Sequence, residues 1–334
     1  MAVFSSGRTL NYLEKCNSSP GVMMPLPSTD CTSQGFRPML PCFGNWSWVR
    51  NCALGFVLFS GGPLIAQAGE AHLLSKSEKH FRVFDSTFYK NKPDLSRFGL
   101  EPIAGVYAGA FGAQWYKDEK TLPKKESVQE VARRAHREAG IAFIDIEHWP
   151  LKGDAQLVGE NVRRFHTVAQ WFREVVPGFP LGYYGVPPLR DYWRAVKSPT
   201  STDRRSWMEE NDRLVDLAAI VDVFFPSLYT FYDDQAGWRQ YAMAQIAEAR
   251  RYGGGKPVYV FLWPQFHDSN RRLKGTYLSP DFWKLELETA HEFADGVVIW
   301  GGGGSWDEQA PWWEVTKSFL AGLSQNKEGL QRKP

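Results

Sequence analysis

The sequence predicts an α/β protein built as a single (β/α) barrel of the TIM type with about seven strands. Three observations lead there. From about residue 80, short apolar runs alternate with amphipathic helical patterns, the signature of a parallel sheet covered by helices. Seven such runs fall in about 250 residues without a second core, which suits one closed barrel better than two domains. No G-x-G-x-x-G follows the first run and no phosphate-loop motif occurs, so an open doubly wound sheet, the fallback, has little support as a nucleotide binder.

The strand-like runs are Phe81–Asp85, Ile103–Tyr107, Ile141–Glu147, Leu181–Gly185, Val221–Tyr229, Val258–Trp263 and Gly296–Trp300. Between them lie helices with readable ends. Ser127 and Glu130 form a capping-box pattern ahead of Val128, Val131, Ala132, Ala135 and Ala139, stopped by Gly140. Asp154 is placed to cap a second helix, with Leu157, Phe165, Val168 and Phe172 on its apolar face and Pro177-Gly178 at its end. Ser279-Pro280 opens another, through Phe282, Leu285 and Thr289. Gly301–Gly304 lacks the Lys-Ser/Thr of a phosphate loop and reads as a tight turn beside a ligand.

Composition narrows the function classes. The chain has 334 residues, 43% hydrophobic and 15% aromatic, with 39 Lys+Arg against 37 Asp+Glu. That excludes a disordered chain, a collagen-like repeat and a nucleic-acid binder carried by bulk positive charge. All four cysteines (Cys16, Cys31, Cys42 and Cys52) and the charge surplus lie before residue 69. Val49–Ser60 runs from Arg50 into an apolar stretch and on to Ala66-Gln67-Ala68, the layout of a secretory signal peptide cleaved after Ala68. The expected organisation is a disordered leader or upstream artefact over 1–38, with translation starting at Met39. A signal peptide follows over 39–68, then a linker over 69–79, the barrel over 80–325 and a tail over 326–334. The alternative for the apolar stretch is a buried helix. A secreted or periplasmic protein follows, free of disulfides and not held in a membrane once the signal is removed. The oligomeric state is open.

Function in a parallel barrel gathers at the C-terminal strand ends, and here those ends are polar and aromatic. They supply Asp85, Asp145 through Trp149, Tyr183-Tyr184, Tyr229 with Asp233-Asp234, Trp263 with His267-Asp268, and Trp300 with Trp306. Aromatic faces stack on the C–H faces of sugar rings, and carboxylates do acid–base work on a glycosidic oxygen. Asp145 and Glu147 are the sharpest pair. Two residues apart on one strand, they share a face about 6.6 Å apart, and their repulsion raises one pKa to supply a protonated acid. Asp233-Asp234 also fits a helix cap ahead of Trp238, and Asp307-Glu308 the start of the helix holding Trp312 and Trp313. No H-x-x-x-H or H-x-H spacing makes a metal site of His148, His267 and Asp268, and no cofactor is expected.

Four islands resemble the animal-type hyaluronidases, as a distant, bacterial-like relative would: Ile144–Trp149, Gly182–Pro187, Phe225–Tyr229 and Gly296–Gly301. That family folds as a distorted barrel of about seven strands. The resemblance implies a retaining, endo-acting hydrolase of β-linked N-acetylhexosaminides, in which the substrate's own acetamido group is the nucleophile. Glu147 would be the acid and then the base, and Asp145 would orient the acetamide. Tyr184 and Tyr229 would hold it, and Trp300 would line the sugar pocket. Asp85, Trp149, Asp234 and Trp263 complete the expected substrate contacts, with an oligo- or polysaccharide as partner. Ile146 stands where the family has tryptophan and Pro150 where an arginine usually follows; the third-strand region is shorter, and the family's disulfides have no counterpart. Residues 69–334 carry equal numbers of basic and acidic groups, which gives a polyanionic substrate no support. Two alternatives stay open: a glycosidase pairing Glu147 with Asp85 or Asp234, and a sugar-binding barrel without catalysis.

Overall fold

The computed structural model describes residues 80–113, 115 and 120–331, with side chains as far as residue 325. The leader, signal peptide and linker expected over residues 1–79 lie outside the described residues. Strand β1 (Arg82–Lys90) pairs in parallel with β2 (Glu101–Pro102) on one side and β7 (Gly296–Ser305) on the other, and β6 (Tyr259–Leu262) joins β7. Strands β3 (Ala104–Tyr107), β4 (Ala142–Asp145) and β5 (Leu181–Tyr183) form a second parallel sheet in that order.

Two links join the sheets into a barrel. Residues 101–107 form one extended run that pairs with β1 through β2 and, past Ile103, with β4 through β3. On the other side, residues 222–230 fill the gap between β5 and β6. Gly185 N–H donates to Phe225 O (2.8 Å), and Tyr259 and Phe261 N–H donate to Phe224 O and Pro226 O (2.9 Å each). This segment is the expected fifth strand, reduced to isolated bridges. Pro226 sits in its middle and has no N–H to give the ladder.

Helices fill the crossovers: α1 (Lys125–Glu138), α2 (Ala155–Arg173), α3 (Thr202–Asp212), α4 (Val215–Ile220), α5 (Gln235–Tyr252), α6 (Pro280–Phe293) and α7 (Pro311–Gln331). A 3-10 turn, Leu95–Phe98, replaces a helix between β1 and β2, which is one source of the distortion. Asp154 caps α2 by accepting from Leu157 N–H, and Ser279 caps α6, with Pro280 in its first turn. The capping box at Ser127 does not form. The helix starts at Lys125, a backbone bond from Val128 N–H to Lys124 O (3.1 Å) closes the first turn, and Ser127 is already inside it. Leu157 is exposed, and α2 instead buries Val158 and Val162 with Phe165, Val168 and Phe172. Among the described residues, no helix is long and apolar enough to cross a membrane.

Strand alternation splits the apolar residues into two layers. Phe84, Phe143, Val223, Phe225, Tyr259, Phe261 and Val298 form a cluster inside the barrel. Val83, Val106, Ile144, Leu181, Phe224, Val260 and Ile299 belong to a larger cluster between the barrel and the helices. Each fully buried large side chain in that layer, such as Phe172 or Leu287, contributes about 1.5–3 kcal/mol. Gly301–Gly304 is not a turn but the extension of β7, paired with β1 through Gly302 and followed by a bulge between Phe88 and Lys90. Gly302 adopts φ +148°, and a Cβ there would lie 2.9 Å from Phe88 Cβ, so the backbones approach this closely only without a side chain.

Gly182 on β5 makes a similar close approach inside the barrel, where a Cβ would fall 2.3 Å from Val223 O. Gly182→Ala is expected to destabilise the fold by about 1–3 kcal/mol, seen as a lower denaturation midpoint. Gly140→Ala, at an open position with nothing within 4 Å, is expected to change stability by less than about 1 kcal/mol. Equal midpoints for the two variants would contradict the packing.

Candidate active site

Inward-facing residues at the C-terminal strand ends converge on one cleft. β4 delivers Asp145, whose register partner on β3 is Tyr107. The backbone after β5 brings Tyr184, whose N–H donates to Ile144 O (2.9 Å) and whose hydroxyl bonds to Ser227 Oγ (3.1 Å). From the 222–230 segment comes Tyr229. Its ring lies 6.0 Å from Tyr184, 5.6 Å from Trp263 and 5.6 Å from Trp300, centroid to centroid. Trp263 and Trp300 meet edge to face at 4.9 Å. Each indole is held in place: Trp300 Nε1 donates to Tyr107 Oη (3.2 Å) and Trp263 Nε1 to Gln265 Oε1 (2.9 Å). Such pairs favour defined ring orientations over free rotation.

Two carboxyl groups sit in this aromatic wall in unlike surroundings. Asp145 is the last residue of β4 and is buried, with Oδ1 out of contact with solvent and without a hydrogen-bond partner among the described residues. Glu147 is exposed and lies beyond the strand end, so the expectation of both carboxylates on one strand is corrected. Burial, reinforced by the negative charge of Glu147, pushes the Asp145 carboxyl well above the usual range. The raised member of the pair is therefore the buried Asp145. Three phenols surround it. Burial raises all three; Asp145 adds to it at Tyr107, the charge of Glu147 at Tyr184, and the neighbouring Tyr184 at Tyr229. They are neutral donors throughout the physiological range. His267 is pushed down to about 4 by burial and by Arg190, so it is an uncharged imidazole here.

The structure brings Asp145, Glu147, Tyr184, Tyr229, Trp263 and Trp300 together; it places the other three expected contacts elsewhere. The alternation of β1 turns Asp85 to the outer face, where it pairs with Lys92 Nζ (2.6 Å) and accepts from Thr87 Oγ1 (2.7 Å). Asp234 caps α5, accepting from Gly237 N–H (2.9 Å). Trp149 is buried in the outer layer, 5.3 Å from the Phe165 ring, because the chain bends after Glu147 and breaks the alternation. Neither Asp85 nor Asp234 is thus free to act as a second catalytic carboxylate. Sequence reasoning missed Tyr107, Ser227 and Gln265. Tyr107 had a signal, since it ends the second strand-like run. Ser227 had one too, inside the Phe225–Tyr229 island, and Gln265 had none beyond that of a polar residue after a strand-like run.

The raised Asp145 carboxyl has a sign that stability measurements read. Below about pH 4 the group is protonated folded or unfolded, and no penalty exists. As pH rises toward the folded-state pKa, the unfolded chain loses its proton first and stability falls. Asp145→Asn is therefore expected to unfold at a higher temperature than the parent at pH 8, with the gap closing near pH 4. A parent at least as stable as the variant at pH 8 would refute the buried, proton-retaining carboxyl.

No protein-family model matches the chain. It is 26% identical over 256 residues to a hyaluronidase of Apis mellifera, covering 72% of this chain and 61% of that protein. It is 25% identical over 187 residues to a hyaluronidase of Polistes annularis, covering 50% of this chain and 47% of that one. The chain thus spans less than two thirds of the length of these relatives. In fold, a crystal structure of bee venom hyaluronidase superposes with a TM-score of 0.51 at 17% identity, covering 75% of this chain and 97% of that one. The two parallel sheets, linked as described, are accordingly a TIM-type barrel. By sequence and fold together, the chain is a distant relative of the hyaluronidases.

Proposed function

We propose that the chain is a glycoside hydrolase of hyaluronidase type, cleaving β-linked N-acetylhexosaminides within an oligo- or polysaccharide by a retaining, substrate-assisted mechanism. The observation that carries this reading is the buried Asp145, whose Oδ1 has no partner among the described residues, next to the exposed Glu147 in a cleft of aromatic rings and phenol donors. An acetamido N–H fits that open acceptor. Trp300 and Trp263 offer ring faces and edges to the sugar, and Tyr184 and Tyr229 offer hydroxyls to the acetamide oxygen.

The chemistry follows from the two environments. Glu147, open to the cleft mouth, gives its proton to the leaving glycosidic oxygen as the C–O bond breaks. The acetamide oxygen attacks the anomeric carbon and closes a positively charged oxazoline-type ring. Asp145, neutral while its pocket is empty, passes its proton to Glu147 once substrate fills the pocket, which supplies the proton that Glu147 gives up, and is then favourable as a carboxylate beside that developing charge. Glu147 then takes a proton from water, the water attacks the anomeric carbon, and the ring opens with retained configuration. This division of labour needs one acid and one orienting carboxylate, and no protein nucleophile.

Reducing-sugar release from hyaluronan, chondroitin, chitin oligomers and peptidoglycan tests the reading. The parent is expected to act on at least one of them, and Glu147→Gln to lose about 10²–10⁴-fold in kcat. A thiazoline mimic of the cyclic intermediate is expected to inhibit competitively. Undiminished turnover by the variant would remove Glu147 from its role, and turnover insensitive to the thiazoline would point to a protein nucleophile. Binding of a saccharide without turnover would make the barrel a lectin.

A further inference from the structure

Next to the cleft stands an aromatic surface that the chemistry above does not use. The loop after β5 carries Arg190-Asp191-Tyr192-Trp193, and the segment after Tyr229 carries Phe231-Tyr232. Trp193 is 60% exposed and Tyr232 43%, and their rings lie 5.3 Å apart. Tyr192 touches both, at 5.7 Å and 5.3 Å, and stacks at 4.6 Å on the buried Tyr241 of α5. An exposed tryptophan alone is unremarkable; a contiguous group of rings is the kind of patch that marks a ligand surface.

The loop is held rigidly. Arg194 donates to Asp191 Oδ2 (2.6 Å) and makes a two-pronged pair with Glu210 of α3 (2.9 and 2.7 Å). Asp191 Oδ1 accepts from the backbone N–H of both Trp193 and Arg194 (3.1 and 2.8 Å). The rings are thus presented in place, which lowers the ordering cost of binding. They are also continuous with the cleft. Phe231 lies 4.5 Å from His267, which in turn lies 6.3 Å from Tyr229 and 6.2 Å from Trp263. On the far side of Asp145, Phe88 at the end of β1 is 49% exposed and 6.0 Å from Tyr107. Exposed rings therefore stand on both sides of the acid pair.

We propose that Trp193 and Tyr232 form a distal sugar-binding ledge that holds the polysaccharide chain one or more residues away from the scissile bond. This rests on reading the cleft as a saccharide site, and it deepens that reading toward long substrates. The occupant is a neutral pyranose face, because the ledge offers flat apolar rings with hydroxyl and indole edges. A ledge outside the catalytic pocket raises affinity for polymer more than for short oligomer.

The test compares Glu147→Gln with the triple variant Glu147→Gln, Trp193→Ala, Tyr232→Ala, so that no chain is cut during measurement. Affinity electrophoresis in gels holding hyaluronan, chondroitin, glycol chitin or peptidoglycan fragments is read beside titration with the matching tetrasaccharide. The polymer-to-tetrasaccharide affinity ratio is expected to fall about tenfold in the triple variant, and Trp193→Phe with Tyr232→Phe to restore most of it. A ratio unchanged by the alanines would overturn the ledge, and so would a parent retarded by none of the four polymers. Ledge-dependent binding in a protein that hydrolyses nothing would uphold the ledge and sink the hydrolase reading. Hydrolysis of polymer with an unchanged ratio would do the reverse.

Discussion

Closure of a parallel sheet is the constraint on which the rest of this structure depends. Once the strands form a barrel, each residue faces either the interior or the helices, and the period-two alternation decides which. Phe143 and Asp145 of β4 point one way and Ala142, Ile144 and Ile146 the other. The interior narrows to phenylalanine and tyrosine rings below and opens above into Tyr107, Tyr184, Tyr229, Trp263 and Trp300. The aromatic wall at the C-terminal end is the consequence, since the last inward residue of each strand has no further layer above it.

The same closure sets the electrostatics. A carboxyl at the last inward position of β4 is walled by rings, has no ion pair among the described residues, and is driven toward its neutral form. Two residues later the chain has left the sheet, and Glu147 meets solvent. Two acids with one residue between them thus acquire different behaviour from position alone. Other charges are paired: Asp85 with Lys92 on the outer face, Arg82 with Glu101, and Arg194 with Asp191 and Glu210. Buried Glu286 of α6 is the exception in the outer layer. It accepts from Thr230 Oγ1 and is driven toward its neutral form by burial.

The rim is where the scaffold and the cleft exchange roles. Beyond the residues that close the barrel, the loop after β5 is tied to α3 by the Arg194–Glu210 ion pair and to α5 by the stacking of Tyr192 on Tyr241. Its order comes from the helices, and the exposed rings are left for solvent or ligand. Near-neutral charge in the chain beyond residue 68 agrees with recognition through ring faces and hydroxyl groups.

Local sequence carried the strand–helix alternation, six of the seven expected strands (the fifth is reduced to isolated bridges), the caps at Asp154 and Ser279, and the six residues that meet at the C-terminal end of the barrel. These are local signals: periodicity, cap chemistry and polar residues at strand ends are written within a few positions of one another. Other outcomes needed the closed barrel. Trp149 followed the strand pattern on paper, but the bend after Glu147 sent it into the outer layer. Asp85 ended a strand-like run, but β1 continues beyond it and turns it outward to Lys92. Gly301–Gly304 looked like a turn and became strand, because β1 lies alongside to pair with it. Which of two neighbouring acids keeps its proton was likewise undecided by residue type. It depends on how many rings surround each carboxyl, and those rings come from strands and loops as far apart in sequence as Tyr107, Tyr229 and Trp300, which meet only in the folded barrel.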